Sequence, residues 1–204
     1  MIDIKKLIEQ GSQLFGNRGT WMLLLQDIAE NFYVERSDFT VKREVGNDYA
    51  GNLTSSYPLL VRRELGDSIS SMLRPRGQEW FSISIDQDDR LDTSGKEWLE
   101  WVSGVQKRAM YDKQSQFVRA TKEGDHDFAA FGQCVISVEV DHSTTSLLYR
   151  CWHLRDVAWC ERYNGSIGDI HRNWNPDVRT LVSIFGKEKL HRDVVKRLDK
   201  EPYG

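Results

Sequence analysis

Cys151, His153 and Cys160 are the residues of this sequence best equipped for metal or nucleophilic chemistry. On a strand, Cys151 and His153 point to one face, so a thiolate and an imidazole could reach the same zinc ion. Structural zinc sites take two close-spaced ligand pairs, and the second pair is missing here. Cys134 completes a set only if the strand register brings it alongside. Small thiols packed on sheet faces are the simpler reading. A Cys–His nucleophile pair is formally available among the same residues, but neither a nucleophile elbow nor a local protease signature surrounds it.

The acidic group Asp86, Asp88, Asp89 and Asp92 invites a calcium reading. It lacks the turn glycine and distal Glu of an EF-hand loop, and reads instead as a solvated loop leading into a helix N-terminus. Gly124, Gly132, Gly165 and Gly168 have the wrong spacing for a phosphate-cradling loop, which disfavours an ATPase. Two basic groups remain, Arg62–Arg63 within a predicted helix and Arg74–Pro75–Arg76 at its end. They are the candidates for contact with DNA phosphates or a partner, set against the plainer reading of solvated cations near a helix C-terminus. No catalytic, cofactor or metal site is expected.

The elements that would position these residues follow from periodicity. A first helix is predicted over 2–14. In the second, Trp21, Leu24, Leu25, Ile28 and Phe32 form one stripe, read as core. Residues 36–52 are polar and aperiodic, a long excursion that suggests a partner-facing role. Ser56 and Pro58 open the next helix, with Val61, Leu65, Ile69, Met72 and Leu73 as its apolar face. Residues 80–85 alternate like a strand. Ser94 to Glu97 fits a capping box for one long central helix over about 96–122, with Trp98, Val102, Val105 and Ala109 on one side and Trp101 widening that face.

Phe131–Gly132 ends a helix and opens an antiparallel meander over about 133–174, with Asn164–Gly165 suited to a two-residue hairpin turn. Asn175–Pro176 starts a helix that buries Val178, Leu181, Val182 and Phe185 and stops at Gly186, and a basic helix over 187–198 follows. The fold class is α+β. The seven tryptophans are spread through nearly every element, mostly as core, with one or two at subunit contacts.

Composition sets the outer limits. Net charge is −3 over 204 residues, far from the basic balance of a protein that binds nucleic acid by bulk electrostatics. No window approaches the length of a membrane span, and the start has no apolar signal core. Three cysteines in a chain large enough to fold without staples point to reduced thiols in a cytoplasmic setting.

Four stretches together resemble the portal, or head-to-tail connector, proteins of tailed bacteriophages, especially those of short-tailed phages. The helix Tyr57 to Leu73 with Arg74-Pro75-Arg76-Gly77-Gln78-Glu79-Trp80-Phe81 is similar to that family's helix, loop and Trp-Phe strand entry. The capped helix with Glu97-Trp98-Leu99-Glu100-Trp101-Val102 resembles its acidic loop and Trp-Leu helix. Asp127-Phe128-Ala129-Ala130-Phe131-Gly132-Gln133-Cys134-Val135-Ile136 is similar to its passage into a β-meander. Asn164–Gly165 with Ile170-His171-Arg172, then Leu181 to Gly186, resembles a later run.

The resemblance implies a subunit of a ring, generally dodecameric, at one capsid vertex. Such rings nucleate the shell, dock the terminase, pass the double-stranded genome and hold the tail or its adaptors, and they hydrolyse nothing. The expected setting is the virion, reached through the host cytoplasm during assembly, with no membrane and no cofactor. The chain matches a single wing-like portion over 1–204: helices and excursion in 1–52, a helical part in 53–132, the meander, and helices in 175–204. The channel-lining stem and clip of the family are expected to be absent. The competing reading is a small non-enzymatic binding module, either a connector adaptor or a metal-dependent nucleic-acid-binding protein using Cys151, His153 and Cys160.

Overall fold

The computed structural model describes residues 3–44, 46, 48, 50–51, 53–75, 77–85, 92–141 and 146–200. It divides into two compact units, residues 1–170 and 171–204, where the sequence suggested one portion with its last joint near 174. Helix and antiparallel sheet are mixed, as expected.

The first unit opens with α1 (Ile4–Gly16) and α2 (Gly19–Phe32), a short 3-10 turn at Val34–Arg36, and α3 (Tyr57–Leu73). The Asp3 carboxylate caps α1 by accepting from the Lys5 N–H. Pro58 sits in the first turn of α3, where its missing N–H costs nothing, but Ser56 makes no side-chain cap. α4 (Thr93–Met110) is capped by Asp92, which accepts from the Gly95 N–H, rather than by Ser94.

The single long central helix is in fact two. α4 ends at Met110, and α5 (Phe117–Phe131) begins after Tyr111–Gln116. No Gly or Pro marks the break. Asp112 Oδ1 accepts from the Gln114 N–H, the Ser115 hydroxyl bonds the Met110 and Asp112 carbonyls, and Gln116 takes a left-handed φ of 57°. Polar side chains thus offer the backbone an alternative to continuing the helix. Gly132 then closes α5 at φ 71°, the hinge its position suggested.

The meander is likewise two hairpins. β1 (Val135–Asp141) pairs antiparallel with β2 (Ser146–Trp152), Val138 facing Tyr149, and β3 (Val157–Glu161) pairs with β4 (Ile167–Arg172). A 3-10 turn at Leu154–Asp156 separates them. The Asn164–Gly165 turn is longer than predicted: the Gly165 N–H bonds the Arg162 carbonyl, the Arg162 N–H bonds the Ser166 carbonyl, and Gly165 sits at φ 77°. Residues 80–85 form neither helix nor strand and belong to no sheet.

Two buried clusters hold this unit. Leu25, Ala29, Phe39 and Leu154 pack with Trp21, Met22, Phe131, Val135 and Trp159. Met110, Phe117, Ala120 and Tyr149 pack with Trp80, Phe81, Leu147 and Cys151. Gln26 pins the start of the 36–52 excursion to the first cluster: its Oε1 accepts from the Phe39 and Thr40 N–H groups, and its Nε2 donates to the Ser37 carbonyl. The first residues of that stretch are therefore anchored to the core.

In the second unit, α6 (Val178–Phe185) is capped by Asp177 on the Thr180 N–H, buries Val178 and stops at Gly186, while Phe185 is exposed. The last helix is shorter than predicted, α7 (Arg192–Lys200), preceded by a 3-10 turn at Lys187–Lys189.

Candidate functional site

Helix α5 carries Asp125, His126 and Asp127 in succession, and all three are buried. Each is held by a different group. Asp125 pairs with Arg74 at the end of α3. His126 Nδ1 lies 3.0 Å from an Arg62 nitrogen of α3. Asp127, 1 % exposed, accepts from Arg36 Nε at 3.1 Å and from the Cys151 thiol of β2 at 3.5 Å. One turn of helix thus ties together α3, the Val34–Arg36 turn and the first hairpin. A second knot lies nearby: Asp38 holds His153 at 2.8 Å and Arg155 at 2.6 Å.

The electrostatics follow from this arrangement. Burial works against the Asp38 carboxylate, but its bonds to His153 and Arg155 hold it down at about 2. Burial raises the Asp127 carboxyl, and Arg36 pulls it part of the way back. Burial, then the Asp127 charge, pushes the Cys151 thiol far up. A protonated thiol committed to a carboxylate is a poor nucleophile and a poor metal ligand. His153 is occupied by Asp38, and Cys160 lies on the other hairpin with Asp169. Among the described residues no group of three His, Cys, Asp or Glu side chains is placed to hold a metal ion. Asp86, Asp88 and Asp89 lie outside those residues.

His126 has a fixed tautomer. Arg62 can only donate, so Nδ1 accepts, and Nε2 carries the proton toward Asp67 Oδ1 at 3.4 Å. Burial lowers the His126 pKa, and the Arg62 charge lowers it further. The folded state therefore resists a proton that the unfolded chain accepts near its ordinary value of 6.5. Stability is expected to be full above that pH and to fall as pH drops below it, until the folded imidazole is itself protonated. Denaturant midpoints between about pH 7.5 and 5 measure this, and His126→Gln should flatten that part of the profile.

The four basic candidates separate. Arg62 is only 8 % exposed, its guanidinium 3.9 Å from the Tyr33 ring centre and its Nε donating to the Phe32 carbonyl. It braces α2 to α3 from within the fold. Arg74 is turned onto Asp125. Arg63 is exposed, and Arg76 lies outside the described residues. The sequence reading missed Arg36, Asp125 and Asp127. Its one available signal was the Asp125-His126-Asp127 run between the predicted central helix and the helix end at Phe131, since carboxylates are rarely buried unless paired.

The outer surface is unusually apolar. Val61, Leu65, Met72 and Leu73 of α3, expected inside, are 43–80 % exposed. Trp98 and Trp101 of α4 are 59 % and 61 % exposed, while Leu99 and Met110 point inward. In α2, Leu24 and Phe32 face out, and Leu25, Gln26 and Ala29 are buried. Ile136, Val138 and Val140 of β1 are also open. Exposed apolar stripes on helices are the kind of surface that suits contact with other macromolecules.

An open cavity of about 800 Å³ lies between the end of α3, α4 and α5, floored by Trp80, Tyr111 and Phe117. Its cations are already matched to carboxylates, Arg74 to Asp125, Lys122 to Asp67 and Lys107 to Glu79.

The family model described as bacteriophage head to tail connecting protein matches residues 4–204. The chain belongs to that family. Its members are structural parts of the junction between phage head and tail, which places this protein among the capsid and tail components of a virion. A search of curated proteins finds none that matches. An internally braced helical body with broad apolar outer faces is what a structural junction requires. No described helix is long and apolar enough to cross a membrane.

Proposed function

We propose that this connector protein is a subunit of the portal ring at one capsid vertex, of the short-tailed phage type. The ring, a dodecamer when complete, passes double-stranded DNA during packaging and ejection, docks the terminase and holds the tail or its adaptors, assembling in the host cytoplasm. Membership of the connector family over residues 4–204 carries this reading. The order of the four motif stretches supports it, as do the exposed stripes on α3 and α4, which suit subunit contacts. The protein has no catalytic role in this reading, and the energy for packaging comes from elsewhere. Arg63 and Arg76 are the basic residues left to meet DNA or a partner. Negative-stain images of concentrated protein test it: closed rings with rotational symmetry are the expected result, and isolated particles of one subunit would overturn it.

A further inference from the structure

We propose that residues 80–85 of one copy add as an antiparallel strand to the outer edge of β1 in the next copy, joining subunits head to tail. This rests on the ring reading above. Both partners in the contact are visible in a single chain. Residues 80–85 form no helix or turn and belong to no sheet, while their sequence Trp-Phe-Ser-Ile-Ser-Ile has the period of two of an extended chain. The Ile83 N–H donates to the Ser103 hydroxyl of α4 at 2.9 Å. In the extended form that this period calls for, backbone groups alternate, so those of Ser82 and Ser84 would point the opposite way, away from α4. Among the described residues no hydrogen bond reaches them, and both serines are exposed.

The receiving edge is identified by elimination. The outer edge of β2 is already engaged, because the Tyr149 N–H donates to the Ser115 carbonyl at 2.8 Å. β3 is covered by Arg18, which donates to the Leu154 and Val157 carbonyls. β4 lacks an apolar alternation, with Gly168 and Asp169 at its centre. β1 remains. Because Tyr149 points its N–H away from β1, its directly opposed residue Val138 must point its own N–H and carbonyl outward too. The outward-facing backbone of β1 therefore belongs to Ile136, Val138 and Val140.

Their side chains are 37 %, 55 % and 57 % exposed, with no Lys, Pro or bulge of the kind that protects a free edge. In an antiparallel addition, Ser82 and Ser84 would lie beside these residues with their side chains on the same face, and all five are exposed in the single chain. The contact uses two different surfaces of the same chain, so it is heterologous. Such a contact closes into a ring of many copies when its rotation is a whole fraction of a turn, whereas β1 pairing with itself gives only a two-fold dimer.

Sedimentation of Ser84→Pro beside Ser84→Ala tests this. Ser84 makes no hydrogen bond within its own chain among the described residues, so the proline variant should fold, with circular dichroism as the check. Its assembly should weaken about tenfold or more while the alanine variant assembles normally. In a Cys134→Ser background, mixing Ser84→Cys with Val138→Cys protein and adding a short bis-maleimide should give a linked mixed pair. If Val138→Cys links to itself instead, or if Ser84→Pro assembles as tightly as the native chain, the strand addition is wrong while the ring survives. A native chain that never assembles overturns both.

Discussion

Replacing Asp127 with Ala is expected to cost about 3–5 kcal/mol of folding free energy, measured by urea or guanidinium unfolding. Asp127 is 1 % exposed, and its two oxygens serve Arg36 and the Cys151 thiol. Removing it leaves a guanidinium in an environment where it is mostly shielded from water, with Glu123 at 4.0 Å as its next carboxylate. An unpaired charge in such a site costs far more than the pair contributed, because the desolvation remains when the attraction is gone. The companion test is Arg36→Met with Asp127→Leu, which removes both charges at once. It should recover a sizeable part of the loss. If Asp127→Ala cost less than about 1 kcal/mol, the α5 brace would not be structural.

Gly66→Ala should lose about 2 kcal/mol or more, although alanine is the better helix former by about 1 kcal/mol. A β-carbon on Gly66 would lie 2.3 Å from His126 Nδ1 and 3.0 Å from its Cγ. The imidazole cannot step aside cheaply, because Arg62 holds Nδ1 and Asp67 faces Nε2. Steric strain therefore outweighs the gain in propensity. Gly104→Ala in α4 is the control: its β-carbon would meet only the far end of Arg108 at 3.6 Å. There the same substitution is expected to be neutral or to stabilise by up to about 1 kcal/mol. Equal effects at the two sites would contradict the packing described for α3 and α5.

The contrast between these helices explains what could be seen in the sequence. Local backbone chemistry was legible: Pro58 in the first turn of α3, Gly132 as the exit from α5, Gly165 in its turn and Gly186 as a stop all occupy the predicted places. The break at Tyr111–Gln116 was not, since it is made by Asp112 and Ser115 bonding to nearby backbone and by a Tyr149–Ser115 contact across the fold. The apolar face of α3, and Trp98 and Trp101 of α4, were assigned inward although they face out, for a physical reason. An apolar stripe reads the same whether it lines a core or waits for a partner, and in α3 the inward side is Arg62 and Gly66. The sequence resemblance led to the right family, but the buried Arg–Asp–His brace depends on long-range pairings such as Arg36 with Asp127, which no local pattern encodes.

Two of the basic residues chosen for DNA contact, Arg62 and Arg74, became part of that brace. Their guanidinium groups serve the interior of the chain, while in the proposed ring the exposed aromatic and aliphatic side chains supply surface for assembly. A subunit built this way is stiffened by buried ion pairs inside and is adhesive outside. Native mass spectrometry over a range of protein concentration tests that account most directly. The expected spectrum contains one dominant high-order species of fixed subunit number, growing at the expense of monomer as concentration rises. A strictly monomeric spectrum at high micromolar concentration would contradict it.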